Sequence, residues 1–215
     1  MALSDPIALV ISVALIIFSI ILHEIAHGFV ADKLGDPTAR YAGRLTLNPI
    51  PHIDPIGSIA IPGILALTGA PFLIGWAKPV PYNPYNLRNQ RWGEALVALG
   101  GPLTNFFLAV LFGLILRFAG ALGISGTLLG ILFAVVYGNL VLMVYNLIPL
   151  PPLDGSKVLA ALLPAGMRQG FHRLEARMYA FGAVGLVLIS LVAIYLLWPL
   201  LQGLIEILFT LIVGA

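Results

Sequence analysis

The chain has no cysteine, and only 9% of its 215 residues are charged. The first absence excludes disulfides and thiolate metal sites, so any metal must take histidine and carboxylate ligands. The second excludes an ordinary soluble domain, whose surface needs far more polar side chains. The hydrophobic share is 60% and the mean hydropathy +1.03, the balance of an integral membrane protein. Basic and acidic residues number 11 and 9, so net charge gives no reason to expect nucleic acid as a partner. Internal repeats and low-complexity tracts are also lacking, and every loop is too short to fold alone. Residues 1–215 are therefore expected to form a single membrane-embedded domain. No basic segment or cleavage pattern precedes the first apolar run, which is read as a retained helix and not a signal peptide.

What is present is a series of apolar spans with clear punctuation. The first helix is expected from Pro6 to Leu34, with Asp5 as its cap and Gly35 and Pro37 ending it. Further spans are expected over Trp92 to Phe118, Thr127 to Ile148 and Met178 to Trp198, followed by a marginal segment from Pro199 to Val213. Residues 156–177 are mixed and basic and read as a surface helix. Arg40 to Leu47 partly alternates, which suggests a short strand. Ile56 to Trp76 is apolar but broken by Gly57, Pro62, Gly63, Gly69, Pro71 and Gly75. Such backbone is tolerated at membrane depth only against protein or a wet cavity, so this stretch reads as re-entrant. The expected fold class is an all-α polytopic membrane protein, whose first three spans fall at about 6–165. Two C-terminal hydrophobic helices at about 166–215 follow, and a small β/re-entrant segment lies between the first two core helices.

Charge sets the expected orientation. Ten of the eleven basic residues fall in three regions, after the first helix, before the second and after the third, leaving Arg117 alone at the opposite end. All ten share a face only if Ile56 to Trp76 does not cross, and the positive-inside rule then makes that face cytoplasmic.

Within the first span lie His23, Glu24, Ile25, Ala26 and His27. Residues four apart on a helix sit one above the other, so both imidazoles can grip one ion. Glu24 then stands where a general base reaches the attacking water. The pattern arises by accident in roughly one chain in a few hundred. On a solvated face it would mean little, but ionisable groups flanked by hydrocarbon are costly and usually have a partner or a function. The histidines lie about 27 Å along the helix from Ile7, inside a hydrocarbon layer about 30 Å thick. Catalytic zinc usually keeps three protein ligands. The topology returns Asp154, in Pro151-Pro152-Leu153-Asp154-Gly155, to the histidine face, where it either completes the site or caps the next helix. His52 with Asp54 is another source of a ligand, although loop histidines more often bond locally. Asn139 and Asn146 share a helix face and read as structural. Glu206, in the last apolar segment, has no assigned role.

Three motifs carry a resemblance: His23-Glu24-Ile25-Ala26-His27, Gly101-Pro102-Leu103-Thr104-Asn105, and Asn146-Leu147-Ile148-Pro149-Leu150-Pro151-Pro152-Leu153-Asp154-Gly155. With Asn48-Pro49-Ile50-Pro51-His52-Ile53-Asp54-Pro55, they resemble the site-2 protease family of intramembrane zinc metalloproteases, in order over roughly residues 15–165. The resemblance implies a three-helix catalytic core at about 6–165, with zinc (Zn2+) held by His23, His27 and Asp154 and with Glu24 as base. It also implies that Asn105 assists at the active site by holding the substrate backbone or the oxyanion. Many members carry PDZ or CBS domains, which no segment here could hold.

The expected activity is endoproteolysis of transmembrane segments, with a membrane-spanning protein as substrate and membrane lipid as surroundings. Ile56 to Trp76, including Ile59 and Ile61, is expected to pair with the substrate as an extended strand. The expected location is a prokaryotic cell membrane, with the active site opening toward the cytoplasmic side. The alternative is a transporter with a midplane polar site, for which no pair of corresponding half-repeats is visible.

Overall fold

The computed structural model describes residues 6–61, 64, 67 and 76–214. The Asp5 cap and most of 62–75 lie outside the described residues. Helix α1 (Pro6–Lys33) ends as expected at Gly35, whose φ of +110° suits glycine. The Asp36 N–H then reaches back to the Ala31 carbonyl at 2.9 Å. Where a short strand was expected, Thr38–Tyr41 forms a helical turn, α2, and Gly43 at φ +65° follows it. The physical reason is Asp36, which accepts from both the N–H and the hydroxyl of Thr38 and so starts a turn. Among the described residues there is no strand.

Asp36 is fully buried and also accepts from the Asn83 N–H at 2.6 Å and the Asn86 amide at 2.9 Å. Burial pushes its pKa up, but these donors together hold the carboxyl below its ordinary range. The carboxylate thus ties the turn after α1 to the chain just before the next helix, and the Arg88 N–H adds a bond to the Leu34 carbonyl. Between these points, Pro55–Ala60 is a π-helical turn capped by Asp54, which accepts from Ile56 N–H and Gly57 N–H. The Trp76 N–H meets the Gly57 carbonyl, and the Ser58 hydroxyl meets the Trp76 carbonyl. The chain that leaves at Gly57 is therefore back at the same place by Trp76, without a net crossing.

Helix α3 (Gln90–Arg117) starts at the Asn89 cap, and α4 (Thr127–Asn146) follows it. Short α5 (Asp154–Leu162) leads to the polar surface helix α6 (Ala165–Ala180). The two expected C-terminal segments are one helix, α7 (Gly182–Val213), with Pro199 inside it. Proline breaks soluble helices, but in a membrane span its freed carbonyl can be satisfied by neighbouring groups, so Pro199 is no boundary. Helices α1, α3, α4 and the Tyr195–Val213 part of α7 are each long and apolar enough to cross a membrane.

Packing fixes their directions. Gly100 of α3 lies against Ala26 of α1, and Gly101 against His23, so these helices run antiparallel. Gly138 of α4 meets Ile16 of α1, and Ala8 packs with Ile131 and Val135, so α1 and α4 run parallel. The end of α1, the start of α3 and the end of α4 therefore share one face, with the ten basic residues beside them. Arg117 sits at the other end, beside the Ile212 carbonyl of α7. Between lipids there is little hydrophobic drive, and close contact depends on small residues. Ala8, Ser12, Ser19, Ala31, Ala95, Ala98 and Ala109 are buried accordingly.

Two measurements check this arrangement. Cysteines placed singly at the exposed Tyr41, Tyr85 and Gln169 should label from one side of the membrane, and one at Gly123 from the other. Because the Asp36 pKa is depressed on folding, its contribution is present above the unfolded value, about 3.9. It is lost as pH falls through the lower folded value. Asp36→Asn should remove this acid-side slope in melting temperature and lower stability by roughly 1.5–3 kcal/mol, the worth of one hydrogen bond to a charge.

Candidate metal centre

On α1, His23 and His27 sit one turn apart with their rings 4.6 Å apart and nearly perpendicular. The Pro-rich turn after α4 brings Asp154 to them, at the first residue of α5. Asp154 Oδ2 lies 3.2 Å from His23 Nε2 and 3.4 Å from His27 Nε2. The helix that Asp154 begins has no side-chain cap, so the capping role is not the one its carboxylate takes. Its approach depends on Gly155, where a Cβ would fall 2.2 Å from the Leu147 carbonyl oxygen.

The protons on both imidazoles can be placed by following the hydrogen bonds. His27 Nδ1 is 2.7 Å from the carbonyl oxygen of Val97, which can only accept, so Nδ1 carries the proton. For His23 the logic passes through three side chains. The Val135 carbonyl accepts from Asn139 Nδ2, which also donates to Ser19 Oγ. That orientation turns Asn139 Oδ1 toward Asn105, whose Nδ2 donates to it at 2.9 Å. Asn105 Oδ1 then faces His23 Nδ1 at 2.5 Å and fixes the proton there.

In the neutral form of each ring Nε2 is then the unprotonated nitrogen, and both Nε2 atoms point at one carboxylate oxygen. Asp154 Oδ2 is buried and has no other hydrogen-bond partner. A positive charge belongs among these atoms, and a metal ion between neutral rings supplies it as well as a proton on a ring nitrogen does. Two neutral imidazoles and one carboxylate form a donor set that suits zinc, and the three ligand atoms lie within 4.8 Å of one another.

Glu24 follows His23 and faces a different neighbour. Its Oε2 accepts from the Val80 N–H at 2.9 Å. Val80 stands between Pro79 and Pro81, neither of which has an N–H, so it is the one backbone donor of that tripeptide. Gly101 completes the packing, since a Cβ there would fall 2.4 Å from His23 Nε2.

Asn105 is fully buried, with its carbonyl on His23 and its amide on Asn139, where it positions a candidate ligand. One expectation needs correction. Ile59 lies in the π-helical turn and Ile61 is also helical, so neither offers the extended edge expected of them. His52 is buried and bonded to the Thr46 carbonyl, apart from the cluster. Sequence reasoning missed the Val97 carbonyl, the Val80 N–H and Ser19. The Pro79-Val80-Pro81 pattern was a visible hint of a special donor.

A His/His/Asp group that could hold a metal ion, set among membrane-length helices, defines a membrane-embedded metal-site class of protein. The comparisons agree with that class. The chain is 37% identical to YwhC of Bacillus subtilis (strain 168) over 87% of its own length and 84% of that protein, whose name places it among zinc metalloproteases. It is 35% identical to Rip2 of Mycolicibacterium smegmatis, similarly named, over 65% of this chain and 52% of that one. Zinc metalloprotease MJ0392 of Methanocaldococcus jannaschii is 26% identical over 69% of the chain, which spans 33% of that longer protein. No family model and no solved structure matches. The chain belongs to the site-2 protease family of zinc metalloproteases.

The ligand set and its support are open to test by zinc content under a competing chelator. Asp154→Ala should lose the metal, and His52→Ala should keep it. Asn105→Ala and Asn139→Ala should each weaken retention about 10- to 100-fold, the usual effect of removing a group that orients a ligand.

Proposed function

We propose that the protein is a zinc-dependent endopeptidase that cleaves membrane-spanning proteins within the bilayer. The observation carrying this reading is the meeting of two Nε2 atoms with Asp154 Oδ2, a group that could hold a metal ion, inside a bundle of membrane-length helices. Zinc held by His23, His27 and Asp154 would supply Lewis acidity toward the attacking water and the scissile carbonyl.

The remaining steps belong to the chain. Glu24 takes a proton from the attacking water and returns it to the leaving amine. The Val80 N–H holds one oxygen of Glu24, leaving the other for the water. Asn105 keeps the His23 proton on Nδ1, so that Nε2 remains a ligand. A peptide bond in an intact helix is closed to this attack, so the substrate segment must unwind locally. The positive-inside rule assigns the shared basic face, near which the site lies, to the cytoplasm. A transporter's midplane site is built from paired broken helices in corresponding repeats, and no such pair is present among the described residues.

Glu24→Gln keeps the side-chain shape and all three ligands. Purified in detergent with single-span substrates, it should retain zinc but lose about 10²- to 10⁴-fold in cleavage rate, the usual contribution of a general base. Cleavage at the unmodified rate would sink the assignment.

A further inference from the structure

Glu206 takes no part in the site described above. It lies on α7 and is exposed, while its neighbour Ile205 is buried against Ala109, Leu140 and Val144. Ala109 and Leu140 lie within α3 and α4, away from their ends, which places Glu206 inside the bilayer. The bundle is on one side of α7, and the Glu206 side faces lipid. An ionisable group in that position is costly unless it finds a partner. Within the chain its partner is Gln202, one turn earlier on the same helix, whose amide donates to Glu206 Oε1 at 2.8 Å.

The rest of that face is also unusual. Gly203, Glu206, Ile207, Thr210 and Leu211 line a shallow groove. A Cβ at Gly203 would meet nothing within 4 Å, so the glycine is not needed for packing inside the monomer. Pro199 lies on the same side of α7, four residues before Gly203, and has no N–H to give the Tyr195 carbonyl. One stripe thus combines an amide, a carboxyl, a hydroxyl and a place for close backbone approach.

We propose that this stripe is a self-association surface at which α7 of one copy pairs with α7 of a second copy. The occupant follows from self-complementarity. All copies enter the membrane in one orientation, so a symmetric pair has its axis along the membrane normal and its two α7 helices parallel. Gln202 and Glu206 of each copy then face the same residues of the other, one helical turn apart. That distance is within reach of two long side chains, so the amide of either copy can donate to the carboxyl of its mate. Gly203 lets the two backbones approach. The stripe lies on the side of α7 away from α3 and α4, so pairing leaves the catalytic cluster uncovered.

The absence of native cysteine gives a direct test in native membranes with the full chain. Single cysteines at Gly203 and Thr210 should form disulfide-linked pairs of this chain on mild oxidation, while one at Ile17, an exposed lipid-facing position on α1, should not. Adding Gln202→Leu and Glu206→Leu together should reduce linkage at position 210 at least several-fold. The same double variant should shift the protein in nanodiscs or mild detergent from dimer to monomer by light scattering. Glu206→Gln, which retains hydrogen bonding, should preserve the dimer and guards against a folding defect. Monomeric starting protein with no linkage at either α7 position would overturn the proposal. So would an unaltered dimer in the double leucine variant, or linkage from position 203 to other membrane proteins in place of a second copy.

Discussion

The structure depends on bringing two imidazole nitrogens and one carboxylate oxygen to a single point. His23 Nε2 and His27 Nε2 face Asp154 Oδ2 at 3.2 and 3.4 Å, and hydrogen bonds place both imidazole protons on the far nitrogens. Each of the three longest core elements serves that arrangement. Helix α1 supplies the two histidines, and α3 supplies the Val97 carbonyl and Asn105. Helix α4 supplies Asn139 and, through the Pro-rich turn at its end, brings Asp154 into place. Metal affinity and helix packing are therefore coupled, because a shift of α4 against α3 breaks the Asn139–Asn105 bond that sets the His23 tautomer.

Such coupling needs helices that approach closely. In lipid, large apolar side chains gain little by facing one another instead of hydrocarbon. The seam between α1 and α3 accordingly uses glycine where contact is tightest. Gly100 rests near the Ala26 carbonyl, and Gly101 lies flat beneath the His23 ring. A methyl group at position 101 would displace the ligand itself, so packing and coordination meet at one atom.

The legible part of the fold was the part governed by local pattern. The helix-spaced His23 and His27, the Gly35 stop and the apolar spans all follow from spacing and turn chemistry. Asp154 was placed on the correct face by charge topology, and the resemblance, not its position, favoured the ligand role over the cap. Long-range side-chain partners were not legible. The partner of His23 is 82 residues away in sequence and that of Glu24 is 56 away, and no periodicity encodes either. Arg40 to Leu47 misled because its partial alternation ignored Asp36, which stands outside that stretch and starts a turn that runs into its first residues. Pro199 misled for a different reason: its disruptive effect in soluble helices was carried into a membrane span.

The two carboxylates near the centre show how environment divides labour between identical groups. Asp154 turns Oδ2 toward the Nε2 atoms of two imidazoles, where a metal ion could join all three. Glu24 is only one residue from His23, but about 100° round the helix it meets the N–H of Val80. That donor is fixed by prolines on both sides and lies outside any strand, so it is not shared with a ladder partner. It constrains the direction of Glu24 and leaves one oxygen free for proton transfer. Ligand and base are thus distinguished by what each carboxylate is offered, not by the carboxylates themselves.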